Sequence, residues 1–196
     1  MIYTTKYFEL IAENNLRIFS NTIEKAILNE NKTQNEWSNF SGEEFDIFLS
    51  HSYLDKKIIY GIYLELTKLG YSVYIDWLKD PELNRTNVSR ETADKIRKRL
   101  FQSKCLFYAT TINSKKSSWM PWELGFMDGN NQRVAILPMT ENHETEFLRM
   151  EYLEIYPYIE KKKVAGSTEQ KLWIYENDES YTSFDRWITD KPLTNH

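Results

Sequence analysis

Little in this 196-residue chain is suited to covalent or metal chemistry: it has one cysteine, three histidines and six glycines. A lone cysteine excludes an internal disulfide and suits a reducing compartment. Cys105 sits in an apolar run and reads as a small core residue rather than a nucleophile. His51, His143 and His196 show no clustered Cys/His spacing, so no metal site is expected. The scattered glycines exclude both a GxGxxG dinucleotide fingerprint and a P-loop. No GxSxG elbow marks a Ser-His-Asp hydrolase. No apolar run approaches the roughly 18 residues that cross a bilayer. The opening stretch MIYTTKYFELIAENN carries acids and asparagines where a signal peptide needs an apolar segment, so a cytoplasmic protein is expected. A net charge of −4 provides no general basic field for nucleic acid. The local basic runs KIRKR (95–99) and KKK (161–163) read as solvated faces.

What is present points to a globular domain: 41% hydrophobic and 28% charged residues, with aromatics high enough, at 15%, to leave rings for a flat ligand. Residues 5–31 are expected to be helical, with Phe8, Ile11, Phe19, Ile23 and Ile27 near helical spacing. A polar stretch follows, and the composition shifts at Phe45. FDIFLS (45–50) is the nearly continuous apolar run of a buried parallel strand. The pattern Ile58, Ile62, Leu66, Leu69 predicts a helix closed by Gly70. YSVYID (71–76) predicts a second strand and WLKDPELNRTNV a loop, with a helix from near Ser89 carrying Ala93, Ile96 and Leu100 on one side. KCLFYATT (104–111) and RVAILP (133–138) predict strands three and four, flanking a third helix. YLEIYPYI and KLWIYE predict further strands, and SFDRWI a last helix.

This alternation predicts an α/β fold with a central parallel sheet flanked by helices. The expected organisation is an N-terminal helical arm over 1–40, a main domain over 41–190 and a tail over 191–196. Ligands of such sheets bind beyond the carboxyl ends of the strands. The segments SHS, DWLKD and TTINSKKSSW should therefore share one rim.

The third helix holds the unusual stretch SSWMPWELGFMDG (117–129). Pro121 lacks an N–H and fits only a first turn, so the helix should start between Ser117 and Met120, and Gly129 can close it. Trp119 and Glu123 then stack on one face. Glu123 lies near the helix N-terminus, where the macrodipole favours its ionised form. Two readings stand side by side. In one, Trp119, Trp122 and Phe126 are core and Glu123 is a surface acid; in the other, Glu123 works in a pocket walled by Trp119.

Residues 44–160 resemble a bacterial TIR (Toll/interleukin-1 receptor) domain. The matching pieces are FDIFLSHS, GYSVYID, the NRTNV loop, SSWMPWELGF and RVAILP, in the family's order. Trp119 to Leu124 fits the W-x-x-x-E-L signature, placed after a third strand. With its extra N-terminal arm, the chain also resembles the TIR component of Thoeris antiphage systems. The resemblance implies a flavodoxin-like TIR fold and cleavage of the nicotinamide–ribose bond of NAD+, a substrate that needs no further cofactor or metal. It implies Glu123 as the catalytic carboxylate, with Trp119 beside it and Ser117 as the polar residue ahead. It places Ser50, His51 and Ser52 toward the nicotinamide end and the phosphates, although several family members have an aromatic and then a basic residue there. Asp76 and Trp77 open the loop after strand two, with Asp76 readable equally as a turn residue. Arg85 is either a phosphate contact or a solvated charge.

The resemblance further implies self-association through TIR–TIR contacts, with the loop of one subunit covering the pocket of the next. A phage protein would be the trigger and a separate product-sensing effector the reader of the product. A non-catalytic TIR adaptor is the alternative, and a deoxyribosyl transferase of similar architecture a third reading.

Overall fold

The computed structural model describes residues 3–15, 42–83, 85, 88–141, 151–177 and 179–190. Within them, eight strands form one sheet: β1 (Tyr3–Thr4), β2 (Phe45–Ser50), β3 (Val73–Tyr74), β4 (Ser103–Thr110), β5 (Val134–Thr140), β6 (Tyr158–Lys163), β7 (Gln170–Tyr175) and β8 (Tyr181–Ser183). Their order is β3-β2-β4-β5-β6-β7-β8, while β1 pairs with the end of β5 at Met139 and Thr140. All pairings up to β6 are parallel; β6–β7 and β7–β8 are antiparallel. The expected α/β class holds, with an antiparallel extension that the strand pattern did not distinguish.

The helices are α1 (Thr5–Asn14), α2 (Lys56–Lys68), α3 (Asp76–Lys79), α4 (Arg90–Phe101), α5 (Trp119–Asn131) and α6 (Phe184–Thr189). Phe8 and Ala12 of α1, Ile59, Ile62 and Leu66 of α2, and Phe184 of α6 pack on one face of the sheet. Ile96 and Leu100 of α4, with Met120, Leu124 and Met127 of α5, pack on the other. Each face is sealed because alternate residues of β4, such as Leu106 and Tyr108 against Cys105 and Phe107, point to opposite sides.

Local chemistry sets several boundaries as expected. Ser89 caps α4, its hydroxyl accepting from Thr92 N at 3.2 Å. Gly70, with φ at +96°, follows α2 in a conformation that a side chain disfavours. Cys105 is a buried core thiol.

Other expectations are corrected. The second strand is only Val73–Tyr74, because the Asp76 carboxylate accepts from Trp77 N at 2.8 Å and turns the chain into α3. YLEIYPYI is not one strand: Glu151–Ile155 form a 3-10 helix, and β6 starts after Pro157, which has no N–H for a ladder. The helix α5 is closed not by Gly129 but by Gln132, in the left-handed region at φ 59°. The helix from Thr5 ends at Asn14, where Asn15 donates its side-chain amide to Ile11 O at 2.9 Å. The remainder of the expected helix, to residue 31, and the tail over 191–196 lie outside the described residues. Within KIRKR, Arg99 is buried rather than solvated. Its guanidinium grips Asp80 at 2.6 and 2.8 Å, and Tyr74 donates to the same carboxylate at 2.7 Å.

Candidate active site

The segments after β2, β3 and β4 do meet on one rim, as the sheet topology requires. Asp55, after β2, accepts from Thr111 Oγ1 at 2.5 Å and Asn113 Nδ2 at 2.7 Å, both after β4. His51 bridges from β2 to Asp76, with Nε2 3.3 Å from the carboxylate, while its Nδ1 lies 2.8 Å from the Leu49 carbonyl. Both ring nitrogens thus lie within reach of an oxygen.

Helix α5 begins at Trp119, so Trp119 and Glu123 share a face one turn apart. That face turns inward. Glu123 is 0% exposed, which overturns the reading of it as a surface acid. It sits in the second turn of α5, beyond the reach of most of the dipole's effect. Side chains supply its partners instead. Ser50 Oγ, at the end of β2, donates to Oε2 at 2.6 Å, and Arg85 Nη2 donates to Oε1 at 2.6 Å.

Arg85 is the centre of the constellation. Its Nε forms an ion pair with Asp76, and its side chain is 9% exposed, so the solvated-charge reading is overturned. In this conformation both ends of the guanidinium are engaged by carboxylates rather than free for a phosphate. The indole of Trp119 donates from Nε1 to the Arg85 carbonyl at 2.8 Å, tying the loop backbone to α5.

Two carboxylates and the guanidinium between them therefore lie together out of water, with His51 beside Asp76, a costly arrangement unless each charge is paired. Burial pushes the Asp76 carboxyl up. The charges of Arg85 and His51, with bonds from His51 and Trp77 N, outweigh burial and hold it well below the usual carboxylate range. For Arg85, burial works against the cation, but Asp76 and Glu123 raise its affinity for the proton further.

The other expected site residues take local roles. Ser52 caps the turn Tyr53–Asp55, accepting from Leu54 N at 3.4 Å. Ser117 accepts from Met120 N at 3.3 Å at the start of α5. Trp77 packs on the opposite face of the sheet, near Tyr60. One residue that sequence reasoning missed is Tyr108, paired in register with Ser50 on the neighbouring strand. Its phenol is pushed up by burial first, then by Tyr152 and by the charge of Glu123. Only the register of β2 against β4 could have pointed to it. Among the described residues no group of His, Cys, Asp and Glu could hold a metal ion, and no helix is long and apolar enough to cross a membrane.

No family model matches the chain. It is 45% identical over 145 residues, 74% of this chain and 75% of the other, to a Bacillus cereus (strain MSX-D12) protein named "Probable 3' cyclic ADP-D-ribose synthase ThsB'". It is 34% identical over 103 residues, 52% of this chain and 27% of the other, to a Cytobacillus dafuensis protein provisionally named cyclic ADP-D-ribose synthase TIR2.

Proposed function

This chain belongs to the bacterial TIR family of these cyclic ADP-D-ribose synthases, and we propose on that premise that it cleaves NAD+ at the nicotinamide–ribose bond. The product is an ADP-ribose derivative that serves as a signal in Thoeris-type antiphage defence. Nicotinamide leaves a cationic ring as a neutral molecule, so the departure needs no general acid. The barrier is the positive charge that develops on the ribose, and a fixed carboxylate lowers it. Cyclisation differs from hydrolysis only in the nucleophile. A hydroxyl of the same molecule attacks the anomeric carbon in place of water and gives up its proton.

The observation that carries this reading is Glu123: a fully buried carboxylate on the ligand-binding rim, opposite a buried serine and arginine. A core has no use for such a charge, whereas a cation-stabilising site requires one. Glu123 is the catalytic residue in this proposal. Ser50 orients it, and Trp119 walls the site while tethering the Arg85 loop. Asp76 and His51 hold Arg85 and the strand ends in place. Ser52, Ser117 and Trp77 support the same rim through their local contacts.

The protein is further proposed to self-associate through TIR–TIR contacts, to respond to a phage protein and to act through a separate effector. Exposed Tyr53, Leu54 and Ile112 lie on rim loops that Asp55 joins, which supports association at that edge.

The test is nicotinamide release from NAD+ with product identification by mass, comparing wild type with Glu123→Gln, each purified from infected and uninfected cells. The expected result is at least about a 100-fold loss in the variant with the fold intact, a magnitude typical of removing one electrostatic stabiliser. Equal, negligible release by both proteins from infected cells would leave the adaptor reading in its place.

A further inference from the structure

Glu123 cannot meet a substrate in the conformation described above. Its carboxylate is wholly shielded, and Arg85 holds Oε1 at 2.6 Å. Of the two groups that hold it, Ser50 at Oε2 and Arg85 at Oε1, the second is itself a flat cation. NAD+ brings to the same carboxylate a flat cationic ring on a ribose that becomes positive as the bond breaks. Substrate and guanidinium therefore compete for one anion.

The geometry also provides for the guanidinium once it is displaced. Asp76 already pairs with Arg85 Nε, and Asp76 is itself held by His51 Nε2 at 3.3 Å and Trp77 N at 2.8 Å. An arginine that released Glu123 would keep a counter-charge and not be stranded in a dry site, the circumstance that makes breaking a buried pair costly. Trp119 holds the backbone of the same residue by its carbonyl at 2.8 Å. The bond leaves the Arg85 side chain as the part of this residue that changes partner.

We propose that Arg85 is an internal cation that caps Glu123 in the resting protein, and that NAD+ must displace it toward Asp76 before the ribose can reach the carboxylate. This rests on the NAD+-cleaving reading, and it assigns Arg85 the role of restraining the reaction, with Asp76 as its positioning residue. Nothing covalent changes in the step; one ion pair is exchanged for another.

The test compares full-length wild type, Arg85→Ala and Glu123→Gln, purified from uninfected cells, for nicotinamide release from NAD+. Arg85→Ala is expected to raise resting turnover at low NAD+ by about 10-fold or more, chiefly through a lower KM, since the internal competitor is gone. Guanidinium chloride at millimolar concentration should then inhibit Arg85→Ala competitively against NAD+ and raise its Tm, while tetramethylammonium chloride and sodium chloride do neither. The Tm shift reads occupancy of the vacated position without requiring turnover.

Loss of turnover in Arg85→Ala, restored by guanidinium, would overturn the proposal and make Arg85 a group the reaction needs. Unchanged resting turnover with no guanidinium-specific Tm shift would overturn it as well. Should Arg85→Ala fold poorly, Arg85→Gln keeps the side-chain stem and loses the charge, and resting turnover alone then decides: a rise at low NAD+ supports the proposal, and an unchanged or lower rate overturns it. Failure of the underlying reading looks different: wild type from infected cells then releases no more nicotinamide than Glu123→Gln, whatever Arg85 does.

Discussion

Asp76 holds both Arg85 and His51 on one carboxylate, and its burial makes that pairing matter for stability as well as for the site. Replacing it with Asn removes a charge-assisted bond to Arg85, which keeps Glu123 as a counter-charge, and should cost about 2 kcal/mol at neutral pH. The pH dependence follows from the direction of its shift. A carboxyl held below its unfolded value of about 3.9 stabilises the folded state wherever the unfolded chain would already be ionised. That contribution is lost as pH falls from about 4 through the lower folded value. The stability difference between wild type and Asp76→Asn in urea titrations should thus be flat above about pH 5 and shrink toward pH 2. A gap of constant size down to pH 2 would show that Asp76 is not held ionised by its neighbours.

Among the elements, α1 is the one whose attachment could least be inferred from its own composition. The backbone of Phe8 lies so near Gly61 of α2 that a Cβ there would meet the Phe8 carbonyl oxygen at 2.1 Å and its carbon at 2.7 Å. Next to α1, β1 extends the sheet in parallel along Met139 and Thr140 of β5. Residues 3–15 are therefore built into the same core as the central sheet. Helix propensity alone favours Gly61→Ala by about 1 kcal/mol. The blocked backbone contact opposes it by more, because a peptide group cannot step aside as a side chain can. The variant should lose about 2 kcal/mol net, and amide exchange over residues 5–14 should quicken out of proportion to the rest. A neutral or stabilising Gly61→Ala would mean that α1 does not sit on α2 in this way.

At the scale of the whole molecule, the rim combines a shielded carboxylate with exposed apolar side chains at Tyr53, Leu54, Val88 and Ile112. An enzyme whose site is completed by a second copy has a specific activity that depends on its own concentration. We expect nicotinamide release per mole of protein to rise several-fold between nanomolar and tens of micromolar protein, in step with association measured by sedimentation. A flat profile would set aside the self-association proposal while leaving the chemistry at Glu123 intact.

Much of the architecture was legible in the sequence because it rests on local chemistry. Apolar runs marked β2, β4 and β5, Ser89 and Gly70 punctuated their helices, and Pro121 set where α5 could begin. The same locality put Trp119 and Glu123 on one helical face. Where two local tendencies compete, the sequence was not enough: Asp76 ends β3 early by capping the turn that follows, and Asn131 and Gln132 carry α5 past Gly129. Charge partners were decided only by the tertiary structure. Arg85 looked like a loop charge and Arg99 like part of a basic face, yet each is buried against carboxylates that the chain order keeps well apart. An ion pair in a dry site depends on three-dimensional distance and on exclusion of water, and no periodicity in the chain encodes either.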